Sequence, residues 1–312
     1  MIRKKIVIVG GGGQIGGVVA MIAAQKELGD IVLLDIPDKE NLTRAKALDL
    51  MQLRPNEGSD VQLIGSGNLE SLADADVVLI TAGVPRKQGM SREDLLNINL
   101  NIIKGLAEGI KQHAPNAFII ITTNPLDAMV YAFYKLSGLP KQQVVGMAGA
   151  LDGARFRTFI AMETGLSLKD VSCLVMGGHG PTMVPVTRTA TVSGIPLDAL
   201  LSSEQIANIV ERTREAGTEL VRLYQTGSAY FSTASACVEL AEAYLKDKKR
   251  VIASAALCEG EYGVDGLFIG VPVVIGANGI ERIIEFPLIP EEQAMLDKTI
   301  AAVRDTVAET GL

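Results

Sequence analysis

A histidine in a glycine-rich stretch is the clearest candidate for acid/base chemistry in this sequence. His179 lies in MGGHGP, residues 176–181, directly after an apolar run that is typical of a strand. The surrounding glycines would allow another molecule to approach the backbone closely, and imidazole exchanges protons near neutral pH. The other histidine, His113, ends a predicted helix, where a solvated cap favoured by the helix dipole is expected. The sequence therefore favours His179 as a general acid/base, with a structural histidine as the alternative.

An aspartate and an arginine upstream could complete the same site. Asp152 and Arg155 lie in LDGAR, residues 151–155, within a stretch of helical pattern. Helical residues three apart share a face, so Asp152 could orient the imidazole of His179 and stabilise its charged form. Arg155 would then offer its guanidinium to a carboxylate. An ordinary intrahelical ion pair is the alternative.

A short basic segment could recognise an anionic substrate. Residues 83–92 (GVPRKQGMSR) follow a predicted strand and contain Arg86 and Arg92. Ligands of open α/β sheets bind at the carboxyl ends of the strands, and the glycine and proline of this segment suit a mobile lid. Asn124 ends the next strand along the chain and could hydrogen-bond substrate or cofactor at the same edge. A solvated basic loop is the alternative.

The glycine run after the first predicted strand has the spacing of a dinucleotide-binding loop. GGGGQIG, residues 10–16, satisfies GxGxxG through Gly11, Gly13 and Gly16, and a GxxGxxG variant through Gly10, Gly13 and Gly16. Such glycines let backbone N–H groups approach a pyrophosphate at a helix N-terminus. A glycine run alone would equally fit a plain loop, but Asp35 ends the second strand 19 residues after Gly16. A carboxylate there can bind the ribose hydroxyls and would repel the 2′-phosphate of NADP, so the pattern predicts NAD.

The residues that could do chemistry follow elements of one repeating pattern. Strands are predicted at Ile6–Val9, Ile31–Leu34, Val61–Ile64, Val77–Thr81, Phe118–Thr122 and Val144–Met147. Helical patterns lie between them at Gln14–Leu28, Leu42–Leu53, Arg92–His113 and Pro125–Leu136. Apolar strands separated by helices indicate a parallel sheet covered on both faces. The sequence therefore predicts an α/β, doubly wound (Rossmann) fold for this half.

The pattern becomes less regular after about residue 148. Helices are predicted at 151–164, 203–223, 229–245 and 291–310, and strands at 171–176, 250–257, 267–275 and 282–286. This mixture is typical of an α+β fold. We predict two domains packed together, a dinucleotide-binding domain at residues 1–147 and a substrate domain at residues 148–312.

Composition excludes other classes of protein. The 312 residues are 48% hydrophobic and 21% charged, which excludes a disordered chain. A net charge of −7 argues against nucleic acid as a partner. The apolar run near the start is too short for a signal or membrane segment, and three separated cysteines fit reduced thiols. We expect a cytoplasmic protein with no metal site and no membrane partner.

Taken together, these motifs resemble the lactate/malate dehydrogenase family over essentially the whole chain, and within it the lactate-dehydrogenase-like malate dehydrogenases. The matching segments occur in the family's order: Gly10–Gly16, Asp35, Val84–Leu95, Thr123–Asp127, Leu151–Arg155 and Gly177–Pro185. One position departs from the pattern, because Pro181 stands where an acidic residue usually follows the His-Gly pair.

The resemblance implies a role for each candidate residue. His179 would carry the proton with Asp152 as its orienting partner, Arg155 would bind the substrate C1 carboxylate, and Arg92 would polarise the reacting carbonyl. Arg86 matches the position where arginine accompanies oxaloacetate and glutamine accompanies pyruvate. The NAD contacts that it implies are Gly10, Gly11, Gly13, Gln14, Ile15, Gly16, Asp35, Asn99, Thr122 and Asn124. A homodimer or homotetramer is also implied.

Charge balance favours malate and oxaloacetate as the substrate pair. A dicarboxylate brings two anionic groups, and Arg155 and Arg86 supply two guanidinium groups. Pyruvate would leave Arg86 without a partner, and an uncompensated buried charge costs about 3–5 kcal/mol. A lactate or broader 2-hydroxyacid dehydrogenase is the alternative within enzymes. A non-catalytic NAD-binding sensor would account for the glycine loop and Asp35 but not for His179, Asp152 and the arginines.

Overall fold

Six short apolar runs form the parallel part of one sheet, as the sequence predicts. The computed structural model describes residues 3–85, 91–225 and 227–312. The six strands are β1 Lys5–Val9, β2 Asp30–Leu34, β3 Leu63–Ser66, β4 Val77–Ile80, β5 Phe118–Ile121 and β6 Val144–Gly146. Their order in the sheet is β3-β2-β1-β4-β5-β6, which is the doubly wound order. Every residue of the central strands β4 and β5 is buried, because helices cover both faces of the sheet.

Within the described part of the chain, eight α-helices surround and extend this sheet. They are α1 Gln14–Gln25, α2 Glu40–Glu57, α3 Arg92–His113, α4 Leu126–Ser137, α5 Ala148–Thr164, α6 Ser203–Tyr224, α7 Phe231–Leu245 and α8 Pro290–Ala308. Local sequence sets several of their ends. Ser91 and Asp94 form a capping box at the start of α3, and Gly58 ends α2 in the left-handed conformation.

The second half of the chain continues the same sheet. Three of its strands, β12 Arg250–Glu259, β13 Asp265–Gly276 and β14 Gly279–Ile283, add antiparallel beyond β6. Counted over the residues that the structure describes, the sheet therefore has nine strands. The two parts of the sheet meet over a short length, where Ala255 on β12 is paired to Gly146 on β6. Helix α7 of the second half also packs against α1 of the first half. The predicted boundary at residues 147/148 lies between β6 and α5, and the division into two domains stays a prediction.

Small sheets near the candidate histidine replace one predicted strand. The run 171–176 forms two strands, β7 Val171–Ser172 and β8 Val175–Met176, which belong to different sheets. β7 pairs with β10 (Thr191–Val192), whereas β8 pairs with β9 (Val184–Pro185). A second core centred on Phe156 and Ile160 packs beneath them. The apolar run correctly indicates that Val171, Val175 and Met176 are buried. Pairing with strands that come later in the chain decides where each of the two strands ends.

Candidate functional site

The glycine loop between β1 and α1 is packed so tightly that its glycines are required. Gly10 has φ of +86°, and a Cβ there would lie 2.7 Å from the backbone nitrogen of Ala82. A Cβ on Gly16 would lie 2.6 Å from the carbonyl oxygen of Gly10. Gly13 is the N-cap of α1 and no side chain caps that helix. The helix N-terminus therefore presents backbone N–H groups and its positive dipole to the sheet edge, as an anion site requires.

Asp35 lies directly beside this loop. Its carboxylate accepts a hydrogen bond from the N–H of Gly12 at 3.0 Å, and a Cβ on Gly12 would lie 2.8 Å from the same oxygen. Lys39 lies 3.7 Å from the other oxygen. The side chain of Asp35 is only 8% exposed. The two features that predicted a dinucleotide site therefore meet in space, and Gln14 and Ile15 follow as the first residues of α1.

Asn99 and Thr122 shape the loops after β4 and β5. The Asn99 amide is buried on α3, where its oxygen accepts the N–H of Val84 at 2.9 Å and its nitrogen donates to the carbonyl of Asn124 at 2.6 Å. The Thr122 hydroxyl donates to the carbonyl of Ile80 at 3.1 Å. Asn124 itself is exposed at the sheet edge. These contacts fix the loops; the roles of the three residues as cofactor contacts stay predictions.

The candidate active site contains an Asp–His pair and a buried arginine. Asp152 on α5 accepts from Nδ1 of His179 at 2.8 Å with one oxygen and from Arg155 at 3.2 Å with the other. Side-chain exposures are 3% for Asp152, 14% for His179 and 12% for Arg155. Because Nδ1 is engaged, Nε2 is the nitrogen left for proton exchange with a substrate. The structure thus brings together the three residues that the sequence separates by 27 positions.

The surroundings favour a charged imidazole. Burial by itself would lower the pKa of His179, but the charge of Asp152 and its hydrogen bond outweigh that effect. The net result is that the pKa of His179 is raised above its ordinary value. Asp152 therefore stabilises the imidazolium that a proton donor to a carbonyl needs.

Asp127 is a buried carboxylate at the site to which the sequence analysis gave no role. It lies in the first turn of α4, and its Oδ2 accepts the backbone N–H of His179 at 2.8 Å. The adjacent N–H, of Gly178, donates to the hydroxyl of Thr299 on α8 at 2.9 Å. Asp127 is the last residue of the segment Thr123–Asp127, which resembles the family. An acidic residue at the start of an otherwise apolar helix was the sequence signal that could have pointed to it. Such a position is also typical of a simple helix-dipole partner.

The loop after His179 is held by α8 as well. The hydroxyl groups of Thr182 and Thr299 lie 2.9 Å apart, and Pro181 is exposed between these contacts. The unusual proline therefore occupies a surface position of a loop that other residues fix.

The candidate substrate-binding arginines occupy different positions. Arg86 lies outside the described residues. Arg92 begins α3 and is exposed at its N-terminus. Arg155 reaches towards α6, where a Cβ on Gly217 would lie 3.8 Å from its guanidinium. Among the described residues, its Nε has no acceptor although it is buried. A carboxylate bound beside Arg155 would supply that acceptor.

Two further features of the described residues bear on function. No group of three or more His, Cys, Asp or Glu side chains within 3–85, 91–225 and 227–312 is arranged to hold a metal ion. In those same ranges, no helix is both long and apolar enough to cross a membrane.

Fold and site together define a class of protein. A doubly wound sheet with a glycine loop and Asp35 at one edge, and a buried Asp–His pair beside them, is the arrangement of an NAD-dependent oxidoreductase. Residues 4–146 match the family model of the lactate/malate dehydrogenase NAD-binding domain, and residues 149–310 match that of the lactate/malate dehydrogenase α/β C-terminal domain. The chain belongs to the lactate/malate dehydrogenase family, which confirms the resemblance found in the sequence.

Individual relatives resemble the chain over its full length. It is 54% identical to malate dehydrogenase 1 of Anaeromyxobacter dehalogenans, with 99% of each chain covered. It is 53% identical to malate dehydrogenase of Myxococcus xanthus, with 98% of this chain and 97% of the relative covered. Among solved structures, a malate dehydrogenase of Cryptosporidium parvum superposes with a TM-score of 0.95 at 43% identity, covering 99% of both chains. A lactate dehydrogenase of the same organism, complexed with lactic acid and NAD, gives 0.95 at 45% identity and covers 100% of this chain and 99% of its own.

Removing the charge of Asp152 is expected to lower the pKa of His179. In Asp152→Asn, burial still disfavours the imidazolium while the opposing carboxylate is gone. The ring titration of His179, followed by NMR and assigned by the signal that disappears in His179→Asn, should move to lower pH. Turnover should fall by about 10²–10⁴. Asp170→Asn, an exposed aspartate in the same half of the chain, is the control. An unchanged His179 midpoint in Asp152→Asn would contradict this account.

Proposed function

We propose that this protein is an NAD-dependent malate dehydrogenase that interconverts malate and oxaloacetate. The observation that carries the chemistry is the 2.8 Å contact between Asp152 and His179 at the carboxyl edge of the sheet. The curated relatives favour malate over lactate, since several malate dehydrogenases are 52–54% identical over nearly the whole chain. Solved structures alone would not separate the two substrates, because a lactate dehydrogenase matches equally well in fold.

The residues divide the work of a 2-hydroxyacid dehydrogenase. When bound, NADH would supply the hydride for oxaloacetate reduction, and NAD⁺ would accept it in malate oxidation. The glycine loop fits its pyrophosphate because backbone N–H groups and no side chain face the approach, and Asp35 fits its adenosine ribose. Gly10, Gly11 and Gly16 let the loop pack closely against neighbouring protein atoms, and Gly13 leaves the start of α1 without a side-chain cap.

Proton transfer falls to His179. In oxaloacetate reduction the imidazolium donates its Nε2 proton to the carbonyl oxygen as that oxygen gains charge. In malate oxidation the neutral imidazole accepts the hydroxyl proton instead. Asp152 keeps Nδ1 protonated and so directs exchange to Nε2. Burial of the pair strengthens this electrostatic control, since water screens it little.

Substrate recognition rests on the arginines and Asn124. We assign the C1 carboxylate to Arg155, whose buried Nε lacks an acceptor among the described residues. We assign the distal carboxylate to Arg86 and the reacting carbonyl to Arg92, with Asn124 as a further donor at the sheet edge. The sequence supports these assignments, because Arg86 lies in the segment between β4 and α3 and Arg92 is the first residue of α3.

Oxaloacetate should be reduced far faster than pyruvate with NADH. Pyruvate leaves one guanidinium without its carboxylate, so kcat/KM should favour oxaloacetate by about 10²–10³ or more. Arg86→Gln removes that group, and the preference should move towards pyruvate. Arg304→Gln, an exposed arginine on α8, is the matched control and should leave the ratio unchanged. Equal rates for oxaloacetate and pyruvate with the wild-type protein would contradict the malate assignment and favour a broader 2-hydroxyacid dehydrogenase.

NADH should be preferred to NADPH, and Asp35 should account for the preference. Asp35→Asn keeps an acceptor for the N–H of Gly12 but removes the charge that repels a 2′-phosphate. A charge-assisted hydrogen bond contributes about 1.5–3 kcal/mol, so the ratio of kcat/KM for NADH over NADPH should fall by about 10- to 100-fold. Asp38→Asn changes an exposed charge of the same loop and serves as control. A ratio that stays at the wild-type value would assign cofactor choice to other residues.

We also propose that the protein forms a homodimer or homotetramer. Large apolar side chains are exposed on α2, at Leu42 (45%) and Leu48 (57%), and around the α6–α7 connection, at Leu223 (66%) and Phe231 (56%). Exposed apolar side chains of this kind are typical of interfaces. Sedimentation velocity should give a mass two or four times the 33.0 kDa of one chain. A monomer at micromolar concentration would overturn the proposal.

We retain the cytoplasm as the proposed location. Burial raises the pKa of the Cys237 and Cys258 thiols to about 12, so they are inert, and Cys173 is also free. Reduced thiols fit a reducing compartment. Recovery of the malate dehydrogenase activity in a periplasmic or membrane fraction of cells would contradict this location.

A further inference from the structure

Asp127 contacts the candidate proton carrier through the main chain. The residue is 7% exposed and stands in the first turn of α4, and its Oδ2 accepts the N–H of His179 at 2.8 Å. Two carboxylates therefore hold one histidine from different elements. Asp152 on α5 holds the ring, and Asp127 on α4 holds the backbone.

A charged group is not needed to hold a backbone N–H in this loop. The preceding amide, of Gly178, is held by the neutral hydroxyl of Thr299 at 2.9 Å. By contrast, Asp127 brings a charge into the interior, and among the described residues its Oδ1 is buried with no hydrogen-bond partner. Burying a carboxylate oxygen without a partner is costly. A hydroxyl could hold this backbone amide without the free-energy cost of a buried charge. The charge of Asp127 therefore needs an explanation beyond its hydrogen bond to the backbone.

The imidazole of His179 is the group on which this charge can act. The charged groups that act on Asp127 are His179 from the loop after β8 and Asp152 from α5. The neutral Thr299 of α8 lies beside the same part of the loop, at Gly178. Elsewhere on α4 the one charged side chain is Lys135, further along the helix. On α8, which packs against α4, Glu292 is buried and pairs with Arg188 at 3.1 Å, and the remaining charged side chains are exposed: Glu291, Asp297, Lys298, Arg304 and Asp305. On α3, which also packs against α4, the Lys, Arg, Asp and Glu side chains are exposed and His113 stands at the far end of the helix. The buried part of β13, Leu267–Gly276, carries no charge. The field of Asp127 therefore falls on the His179–Asp152 pair.

We propose that Asp127 is a positioning residue for proton transfer: its carboxylate fixes the backbone of His179, and its charge adds to that of Asp152 in favouring the imidazolium. The proposal rests on the proposed function, since it assigns a task within that reaction. Burial raises the pKa of Asp127 to about 6, although the contact with His179 opposes the rise. The carboxyl group of Asp127 can therefore change its charge at a pH where the imidazole also does. Asp127 and His179 then titrate as neighbours, each affecting the other.

Two substitutions separate the two tasks of Asp127. Asp127→Asn keeps an oxygen that can accept the N–H of His179 but removes the charge. Asp127→Glu keeps the charge but displaces it by one methylene, which breaks the hydrogen bond. Thr299→Val removes the neutral acceptor at Gly178 with little change in volume and is the matched control.

Asp127→Asn is expected to shift the pH dependence of oxaloacetate reduction. Without the second carboxylate the His179 pKa falls, so the alkaline limb of kcat/KM should move by about 0.5–1 unit to lower pH. The ring titration of His179, followed by NMR, should move equally. In Asp127→Glu, kcat should fall by about 10-fold or more with KM for oxaloacetate nearly unchanged and with the pH profile near that of the wild type. Thr299→Val should lower kcat less than Asp127→Glu and should not shift the profile.

Several outcomes would overturn the proposal. One is an Asp127→Asn protein whose pH profile and His179 titration match the wild type, which would leave Asp127 with a purely structural role. Another is a shift of equal size in Thr299→Val. If Asp127→Asn does not fold, ¹³C NMR of the Asp127 carboxyl can be compared between the wild type and His179→Asn. Loss of the imidazolium should raise the Asp127 midpoint, and an unchanged midpoint would refute the coupling.

The NMR measurements distinguish this proposal from the proposed function. They need no turnover, so they report the coupling of Asp127 to His179 even if the protein does not reduce oxaloacetate. Failure of the enzyme assay with intact coupling would reject malate dehydrogenase activity, whereas activity without coupling would reject the role of Asp127.

Discussion

The functional site depends on one interaction between elements far apart in sequence, the hydrogen bond from Nδ1 of His179 to Asp152. Because the contact is 2.8 Å long and the carboxylate is only 3% exposed, bulk water screens the attraction between the two groups little. Contacts from several elements place the histidine there. α5 supplies the aspartate, and the loop after β8 supplies the histidine. α4 and α8 hold that loop by its successive amides at Gly178 and His179.

The cofactor end of the site obeys a different constraint, close approach of backbone to backbone. Gly10 and Gly16 lie against main-chain atoms at distances that admit no side chain. Asp35 occupies the remaining space beside Gly12 and is itself held by that residue's N–H. The cofactor end of the site therefore depends on glycines, which have no side chain, whereas the catalytic end depends on paired charged side chains. The first end presents positive N–H groups, whereas the second stabilises a positive imidazole.

Much of this arrangement could be predicted from the sequence because it is encoded locally. The helix predicted at Arg92–His113 has those bounds in the structure, since Ser91 and Asp94 cap it and its apolar residues recur with helical period. Asp152 and Arg155 could be paired because residues three apart on a helix share a face. The sequence was less informative where long-range contacts decide. Strand β3 begins two residues later than predicted, at Leu63, because its pairing with β2 sets the register.

Helix α2 and Asp127 show two other limits. The prediction ended α2 at Leu53, but the helix continues through Pro55 to Glu57. Proline leaves the carbonyl of Met51 without its helical donor, and the Arg54 side chain donates to that carbonyl at 3.3 Å instead. Asp127 was overlooked because an acid in the first turn of a helix is ordinary. Its contact with His179, 52 positions away, is visible only once the chain is folded.

The unbroken sheet has a mechanical consequence. Strand β12 pairs with β6, the last strand of the parallel part, so the half that carries the histidine is hydrogen-bonded to the half that carries the glycine loop. A shared core of side chains from both halves reinforces this join. Because the two halves share a sheet and a core, this framework sets the distance between the glycine loop and His179. Any motion that encloses a substrate must then belong to the connecting loops at the rim.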